Sequence, residues 1–521
     1  MMLKLEEMTT EQKLGMVFCS RIVRDTDVDF TLELLKKKAV GCVQLPFWNK
    51  KQTESLLEAA EYPVLTFTDT EEGFPETDLP LIPVMSLSAC NNTEYYKSFA
   101  KGVIRDAQKV GFNGTWGPVL DILLSDGPGK VGRSFSNDPK KVAEGASVIA
   151  QVFKDNGFLS TGKHYPGSTD CPYDSHMAEA TLEMPRQQII DFCLAPYKEL
   201  MDKGLLPCIM TAHRLCPDID PEYPASLSKK CIDIIRDMGF DGVCFTDSLA
   251  MMTILQKYGE EEAYGLAVAA GNDIILPNYR TTVKEAYEML VRQYEKGVIT
   301  DERINEAARR VLKAMEFVAA KPLNPTVFTE QDEQNLHNVA RDCITAVCDD
   351  GLNAQIGGRS EDKLFIVTTK GMTCEAIAQE VGNGLGTWYN PDLIVETIKK
   401  EFPGSGIELL PEFPSHRDNE RVLAAAANYK EVVIVSYCDT ISYLGTDCLT
   451  RRNEAVFNGL IRFGKVSAVV HFGNPYALKT LEHTKRKIFG YKVTESQRYA
   501  IEALSGKIEA KGTLPYKVDF N

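Results

Sequence analysis

Residues 239–251 read Gly-Phe-Asp-Gly-Val-Cys-Phe-Thr-Asp-Ser-Leu-Ala-Met, and this stretch contains the unit from which the fold is predicted. The apolar run at 242–246 is expected to form a buried strand. A carboxylate, Asp247, stands at the carboxyl end of that run, and a helical pattern follows. A strand that ends in a polar residue and leads into a helix is typical of parallel α/β proteins.

The same unit recurs throughout the first 320 residues. The predicted strands are 40–45, 64–68, 114–120, 160–164, 208–212, 242–246 and 273–276. Amphipathic helices are predicted at 93–110, 139–156, 185–203, 228–238 and 281–296. Seven or eight such units in about 300 residues favour a closed (β/α)8 barrel of the TIM type. An open doubly wound sheet is the alternative, but no Gly-x-Gly-x-x-Gly turn follows the first strand.

The length of 521 residues exceeds that of one ordinary domain. A polar segment with prolines, residues 321–334, is predicted to link the barrel at 1–320 to a second domain at 335–521. Strands are predicted in this second domain at 364–368, 432–437 and 468–472. We therefore expect an α/β protein with an N-terminal barrel and a C-terminal α/β sandwich.

The charge and the cysteine pattern of the chain narrow the range of possible functions. The formal net charge of -15 argues against a nucleic-acid partner and favours a neutral or modestly charged small-molecule substrate. The charged N-terminal segment lacks the apolar core of a signal peptide, and no apolar run is long enough for a membrane span. The 14 cysteines form no Cys-x-x-Cys pair, so reduced core thiols and a cytoplasmic location are expected, with no metal site. The oligomeric state stays open.

Polar residues stand at the ends of the predicted barrel strands. They are Asp69, Asp121, Lys163 with His164, His213 and Asp247. The carboxyl ends of parallel barrel strands lie at one face, where active sites are built. The sequence therefore predicts that these side chains share one site. Asp247 has a simpler interpretation as well, because an Asp in front of a helical pattern is a good N-cap.

A second polar segment, residues 162–176, reads Gly-Lys-His-Tyr-Pro-Gly-Ser-Thr-Asp-Cys-Pro-Tyr-Asp-Ser-His. Asp174 and His176 are two residues apart, so in an extended stretch they point the same way. The carboxylate is then expected to orient the imidazole and to stabilise its cation. Since a free imidazole titrates near about pH 6.5, such a histidine can give and take protons near neutrality. A surface loop without function is the alternative.

Taken together, these segments resemble glycoside hydrolase family 3, and specifically its β-N-acetylglucosaminidase branch. That branch has the signature Lys-His-(Phe/Ile)-Pro-Gly-(His/Asp)-Gly-x4-Asp-(Ser/Thr)-His, whose spacing is kept from Lys163 to His176. Further matching stretches are 117–122, 133–135, 210–213, 224–228, 270–273 and 473–476. The chain departs from the pattern at Tyr165, Ser168 and Thr169, and at Glu72, where the family has glycine.

The resemblance implies a retaining double displacement with Asp247 as nucleophile and His176, oriented by Asp174, as acid/base. It also implies that Asp69, Asp121, Arg133, Lys163, His164 and His213 bind the sugar, with no cofactor or metal. The expected activity is that of an exo-acting β-N-acetylhexosaminidase on a small β-glycoside, with GlcNAc as the sugar, as in cell-wall recycling. A phosphorylase that uses phosphate as acceptor and a non-catalytic sugar-binding protein are the alternatives.

Overall fold

The computed structural model describes residues 2–75, 77–124, 132–167, 173–321, 328–369, 388–439, 448–518 and 520. The chain forms two compact units. The first comprises Met1–Thr77, Tyr96–Gly127 and Asp138–Thr329, and the second comprises Asp78–Tyr95, Pro128–Asn137 and Glu330–Asn521. A helix, Glu330–Asp342, begins inside the segment predicted as a linker. The domain boundaries derived from the sequence stay predictions.

The described residues of the first unit form eight parallel barrel strands. They are β1 Cys19–Arg21, β2 Cys42–Gln44, β3 Leu65–Thr68, β4 Gly114–Thr115, β5 Thr161–Tyr165, β6 Cys208–Thr211, β7 Val243–Ser248 and β8 Ile274–Leu276. Strands β1 to β4 pair in that order, and so do β5 to β8. Parallel bridges from Gly114 to Leu159 and from Phe18 to Ile275 join the two sheets at both edges. The predicted (β/α)8 architecture is confirmed.

Helices follow the strands and cover the barrel. Their bounds are Thr10–Met16, Asp25–Lys37, Lys50–Ala59, Thr93–Val110, Pro139–Asp155, Ala195–Asp202, Lys229–Asp237, Met252–Tyr258, Glu260–Ala270, Val283–Glu295 and Asp301–Ala320. Val283–Glu295 shows why they form. Thr282 and Glu285 cap its amino end reciprocally, and the side chains that it buries include Val283, Ala286, Tyr287 and Leu290. This spacing places an apolar stripe against the barrel.

Two predicted elements differ from the structure. The helix predicted at 185–203 is interrupted, because Arg186–Gln188 passes into a wide π turn at Ile189–Cys193 before Ala195–Asp202 begins. Pro196, in the first turn of that last helix, has no N–H to continue the preceding hydrogen-bond ladder. The strand predicted at 114–120 is regular only at Gly114–Thr115, and Pro118 lies in its remainder.

A small sheet lies beyond the ends of β5 and β6 in the chain. Ala180–Thr181 pairs in parallel with Arg214–Cys216, which pairs antiparallel with Asp220–Pro224. The first of these strands follows the Asp174–His176 segment, and the second follows His213 directly. The small sheet thus ties the two polar segments to each other.

The second unit is an α/β sandwich in which the described residues form a six-stranded sheet. Its strands are β9 Thr345–Cys348, β10 Lys363–Thr369, β11 Gly406–Pro411, β12 Glu431–Cys438, β13 Val466–Gly473 and β14 Arg486–Tyr491. The spatial order is β9-β14-β13-β12-β10-β11, with β9 antiparallel and the others parallel. Helices of this unit include Val84–Cys90, Glu330–Asp342, Pro391–Glu401, His416–Ala427, Arg451–Arg462 and Ser496–Ser505. From Val432 onward β12 is buried at every position, as expected for a parallel strand covered on both faces.

Across the described ranges, no helix combines the length and the apolar character that crossing a membrane requires.

Candidate active site

The polar residues that the sequence places at strand ends lie at the carboxyl face of the barrel. Asp69 follows β3 directly, Lys163 and His164 lie in β5, and Asp247 lies in β7. His213 comes two residues after β6. Because all eight strands are parallel and closed, these positions converge on one end of the barrel.

Asp247 is held through its neighbour, Ser248. The Ser248 amide donates to Oδ1 of Asp247 at 2.7 Å. The Ser248 hydroxyl accepts a hydrogen bond from Nη1 of Arg21 at 2.6 Å. Nε of the same guanidinium donates to Oε1 of Gln44, at the end of β2, at 3.1 Å. Arg21 was not found by sequence reasoning, because it ends the three-residue strand β1, which was not predicted.

The carboxyl group of Asp247 is ionised throughout the ordinary pH range. Burial alone would raise the pKa of Asp247, but the nearby imidazoles of His164, His213 and His176 and the Ser248 amide outweigh burial and lower this pKa to about 2. Asp247 is therefore an anion near neutrality and is available as a nucleophile.

His213 is a neutral imidazole with both ring nitrogens bonded to protein. Burial lowers the pKa of His213, although the Asp247 carboxylate opposes the shift. Nε2 lies 2.8 Å from the Ser248 carbonyl oxygen, and a carbonyl can only accept, so the proton resides on Nε2. Nδ1 then accepts from the Ser226 hydroxyl at 2.7 Å. His213 thus positions the backbone next to Asp247, and its predicted contact with the sugar stays a prediction.

Lys163 is a buried cation held by two carboxylates from the segment after β3. Nζ lies 2.7 Å from Oδ1 of Asp69 and also forms an ion pair with Glu71. The Lys163 side chain is buried, whereas the Asp69 side chain is 61% exposed. The sequence analysis does not predict Glu71 as a site residue, although Glu71 stands next to Glu72, where the chain departs from the family pattern. The group offers charged donors and acceptors to hydroxyls of a ligand.

His164 and Asp121 form a second buried pair. Oδ2 of Asp121 lies 2.7 Å from Nδ1 of His164, and Oδ1 accepts from the His164 amide at 3.2 Å. A carboxylate that binds both the ring and the backbone of one histidine fixes the orientation of that ring. The structure therefore brings these two predicted residues together.

Asp174 and His176 interact as predicted from their spacing. Oδ1 of Asp174 lies 2.7 Å from Nδ1 of His176 and accepts from the His176 amide at 2.9 Å. Asp174 is buried, while the His176 side chain is 23% exposed. Nδ1 of His176 donates its proton to the Asp174 carboxylate, so Nε2 is the ring nitrogen that can exchange a proton with a substrate.

Four further positions were singled out in the sequence, namely Arg133, Tyr165, Ser168 and Thr169. Arg133 belongs to the second unit, so its predicted role in sugar binding stays a prediction. Ser168 and Thr169 lie outside the described residues. Tyr165 replaces the expected Phe or Ile, and its buried hydroxyl donates to the Cys231 carbonyl at 2.6 Å. The extra hydroxyl is thus satisfied behind the strand and does not enter the site.

Within the described ranges, no group of three or more His, Cys, Asp and Glu side chains is arranged to hold a metal ion. The site consists of an ionised carboxylate, a histidine oriented by a second carboxylate, and buried polar pairs around them. Groups of these kinds can carry out nucleophilic attack and proton transfer.

The chain is similar to known glycoside hydrolases. The sequence profile of the glycosyl hydrolase family 3 N-terminal domain matches residues 10–314. A β-N-acetylglucosaminidase/β-glucosidase of Cellulomonas fimi is 26% identical over 328 residues, which cover 59% of this chain and 57% of that protein. The chain thus spans little more than half the length of this relative.

Two solved structures share the fold over nearly the whole chain. A family 3 β-N-acetylglucosaminidase from Paenibacillus sp. str. FPU-7 has a TM-score of 0.80 and 23% identity, and the match covers 99% of this chain and 100% of that one. A β-glucoside phosphorylase also has a TM-score of 0.80, with 20% identity and coverage of 98% and 95%. With the profile match over more than half of its length, the chain belongs to glycosyl hydrolase family 3.

Proposed function

We propose that the protein is a retaining, exo-acting β-N-acetylhexosaminidase that releases GlcNAc from small β-glycosides. The observation that carries this proposal is the hydrogen-bonded pair of Asp174 and His176 beside an ionised Asp247. The β-N-acetylglucosaminidases among its relatives support the choice of sugar.

In the first step, the Asp247 carboxylate attacks the anomeric carbon and forms a glycosyl ester. The glycosidic bond breaks, and its oxygen takes the proton from Nε2 of His176. The imidazole is then neutral, with Nδ1 still bonded to Asp174. In the second step Nε2 takes a proton from water, the water oxygen attacks the anomeric carbon, and Asp247 leaves as a carboxylate.

The surrounding pairs hold the sugar and the catalytic groups. Lys163 with Asp69, and His164 with Asp121, present fixed donors and acceptors to ring hydroxyls and the acetamido group. His213 and Arg21 act on Ser248 from two sides, which fixes the direction of the Asp247 carboxylate. These groups are oriented before substrate binds, so little reorganisation is required at the transition state.

The test uses an aryl β-GlcNAc glycoside followed by proton NMR. The expected first product is the β-anomer of GlcNAc, because two inversions retain configuration. Asp247→Asn is expected to abolish turnover, since an amide cannot form the ester. Release of the α-anomer first, or full turnover by Asp247→Asn, would overturn the proposal.

A phosphorylase is the second candidate, favoured by the acid/base histidine. A histidine that has given up its proton is neutral, whereas a carboxylate in that role would repel an incoming phosphate. The similarity to a β-glucoside phosphorylase is in line with this candidate. Incubation of the glycoside with and without phosphate separates the two, because phosphorolysis yields a sugar 1-phosphate as the main product. A non-catalytic sugar-binding protein would give neither product.

We further propose a cytoplasmic location and a role in cell-wall recycling with a muropeptide-derived glycoside. The cysteines are scattered along the chain and form no Cys-x-x-Cys pair, which favours a reducing compartment. Cell fractionation with an antibody against the chain tests the location, and accumulation of GlcNAc-containing wall fragments in a deletion strain tests the role.

A further inference from the structure

The turn that carries His176 also presents two large apolar side chains to solvent. Tyr173 is 63% exposed and Met177 is 40% exposed, whereas Asp174 is buried. Both lie within three residues of the acid/base histidine. Exposed apolar side chains at the entrance of an active site are typical of surfaces that contact a ligand.

This turn is fixed to the barrel. The amides of Met177 and Ala178 donate to the Asp174 carbonyl at 2.9 and 3.0 Å. The His176 carbonyl accepts from the Met252 amide, at the start of the helix after β7, at 3.1 Å. The backbone from Asp174 to Ala178, which carries Met177 and directly follows Tyr173, is therefore pre-organised, and this reduces the entropy lost on binding.

Proton transfer requires that Nε2 of His176 reach the glycosidic oxygen within hydrogen-bond distance. The leaving group is bonded to that oxygen, so it must lie against the turn 173–179. Apart from Asp174 and His176, this turn has one charged residue, Glu179. Its carboxylate forms an ion pair with Lys257 at 2.6 Å. The surface offered by Tyr173 and Met177 is consequently uncharged and apolar.

We propose that Tyr173 and Met177 form the leaving-group subsite, and that this subsite selects leaving groups with an apolar ring face, a pyranose or an aryl ring. The inference rests on the proposed function, since it requires His176 to protonate the leaving group. The aromatic ring of Tyr173 packs against the ring face, and the flexible thioether of Met177 fills the space beside it.

The experiment compares two donors that share the GlcNAc unit. GlcNAc β-fluoride has a leaving group without a ring, whereas N,N′-diacetylchitobiose has a pyranose leaving group. Tyr173→Ala is expected to lower the ratio of kcat/KM for the disaccharide to kcat/KM for the fluoride by about 5- to 20-fold. Tyr173→Phe retains the ring and is expected to keep the wild-type ratio, and Met177→Ala should lower the ratio by a smaller factor.

Val298→Ala is the matched control, because Val298 is exposed to nearly the same extent as Met177 but lies between two helices at the opposite end of the barrel. It should keep the wild-type ratio. If Tyr173→Ala also keeps that ratio while the fluoride is hydrolysed, the subsite is wrong and the proposed function stands. Equal losses on both donors would show that Tyr173 only supports the turn and would overturn the subsite. Failure of the wild-type protein to hydrolyse the fluoride would overturn both.

Discussion

One carboxylate oxygen of Asp174 accepts both the ring Nδ1–H and the main-chain N–H of His176, at 2.7 and 2.9 Å. Asp174→Asn keeps an acceptor for both bonds but removes the charge that stabilises the imidazolium. We expect kcat on an aryl β-GlcNAc glycoside to fall by about 10²-fold. Steady-state kinetics measure the fall, and circular dichroism checks that the fold is kept. A change in kcat of less than about threefold would show that the carboxylate only shapes the turn.

The low pKa of Asp247 predicts how the first chemical step depends on pH. A carboxyl group with a pKa lowered to about 2 stays ionised as the pH falls, until the pH approaches that value. Hydrolysis of GlcNAc β-fluoride needs the nucleophile but little help from an acid. Its kcat/KM is expected to change little from about pH 7 to about pH 4. A tenfold decrease over that range would contradict an ionised Asp247.

The low pKa of His471, in the second unit, leads us to expect a loss of stability in mild acid. Burial lowers the pKa of this histidine to about 4, and its ring bonds Ser436 and the Asn474 carbonyl. Because an unfolded histidine titrates near about pH 6.5, the unfolded chain binds more protons between these two values. The free energy of unfolding should therefore fall as the pH drops below about 6.5, by about 2 kcal/mol at pH 5.

Urea unfolding of wild type and His471→Asn at pH 7 and pH 5 measures this contribution. The asparagine cannot titrate, so the variant should lose about 2 kcal/mol less than wild type between the two pH values. Identical losses in both proteins would assign the acid sensitivity to other groups.

Asp273 is expected to be critical for the stability of the barrel. It is fully buried, and its carboxylate contacts the guanidinium groups of Arg236, Arg303 and Arg310. Asp273→Asn leaves these cations without their shared anion and should lower the free energy of unfolding by about 3–5 kcal/mol. Asp241→Asn is a control, because Asp241 also pairs with Arg310 but is 45% exposed. Its cost should be about 1 kcal/mol or less. If both variants lose the same free energy of unfolding, burial of the carboxylate does not determine the loss.

The Arg214 side chain is expected to lower the free energy of unfolding relative to an apolar side chain at the same position. It is buried next to His213 in sequence, and within the described part of the chain its Nε and Nη1 have no hydrogen-bond partner. Buried guanidinium nitrogens without a hydrogen-bond partner pay a desolvation penalty that an apolar side chain of similar length avoids. Arg214→Met should therefore raise the free energy of unfolding by about 1–2 kcal/mol, measured by urea unfolding. A loss of stability would show that the guanidinium is satisfied in solution.

The barrel and the placement of most candidate site residues could be predicted from the sequence, because each strand and the polar residue at its end are adjacent in the chain. The runs before Asp69, Lys163 and Asp247 each form the predicted strand, and the spacing of Asp174 and His176 is itself local. Parallel topology then brings these ends together.

What could not be predicted depends on contacts between distant segments. β1 has three residues and gains its regularity by pairing with β2, so no local pattern distinguishes it. Arg21, the last residue of β1, is for the same reason not predicted as part of the site. Ser226 reaches the ring of His213 only through the small sheet, which no periodicity indicates. Unlike these, the break before Pro196 could have been predicted, since proline cannot continue a helix from within.

The bridge from Phe18 to Ile275 closes the barrel between its first and last strands. During synthesis, the edge of β1 that pairs with β8 in the folded barrel stays unpaired until the segment around Ile275 has left the ribosome. Unpaired strand edges are the sites at which nascent chains associate wrongly. β1 is short and ends in the charged Arg21, which makes it a poor template for another strand. We therefore expect that the same short length that makes β1 hard to predict from the sequence limits aggregation of the nascent chain through this edge.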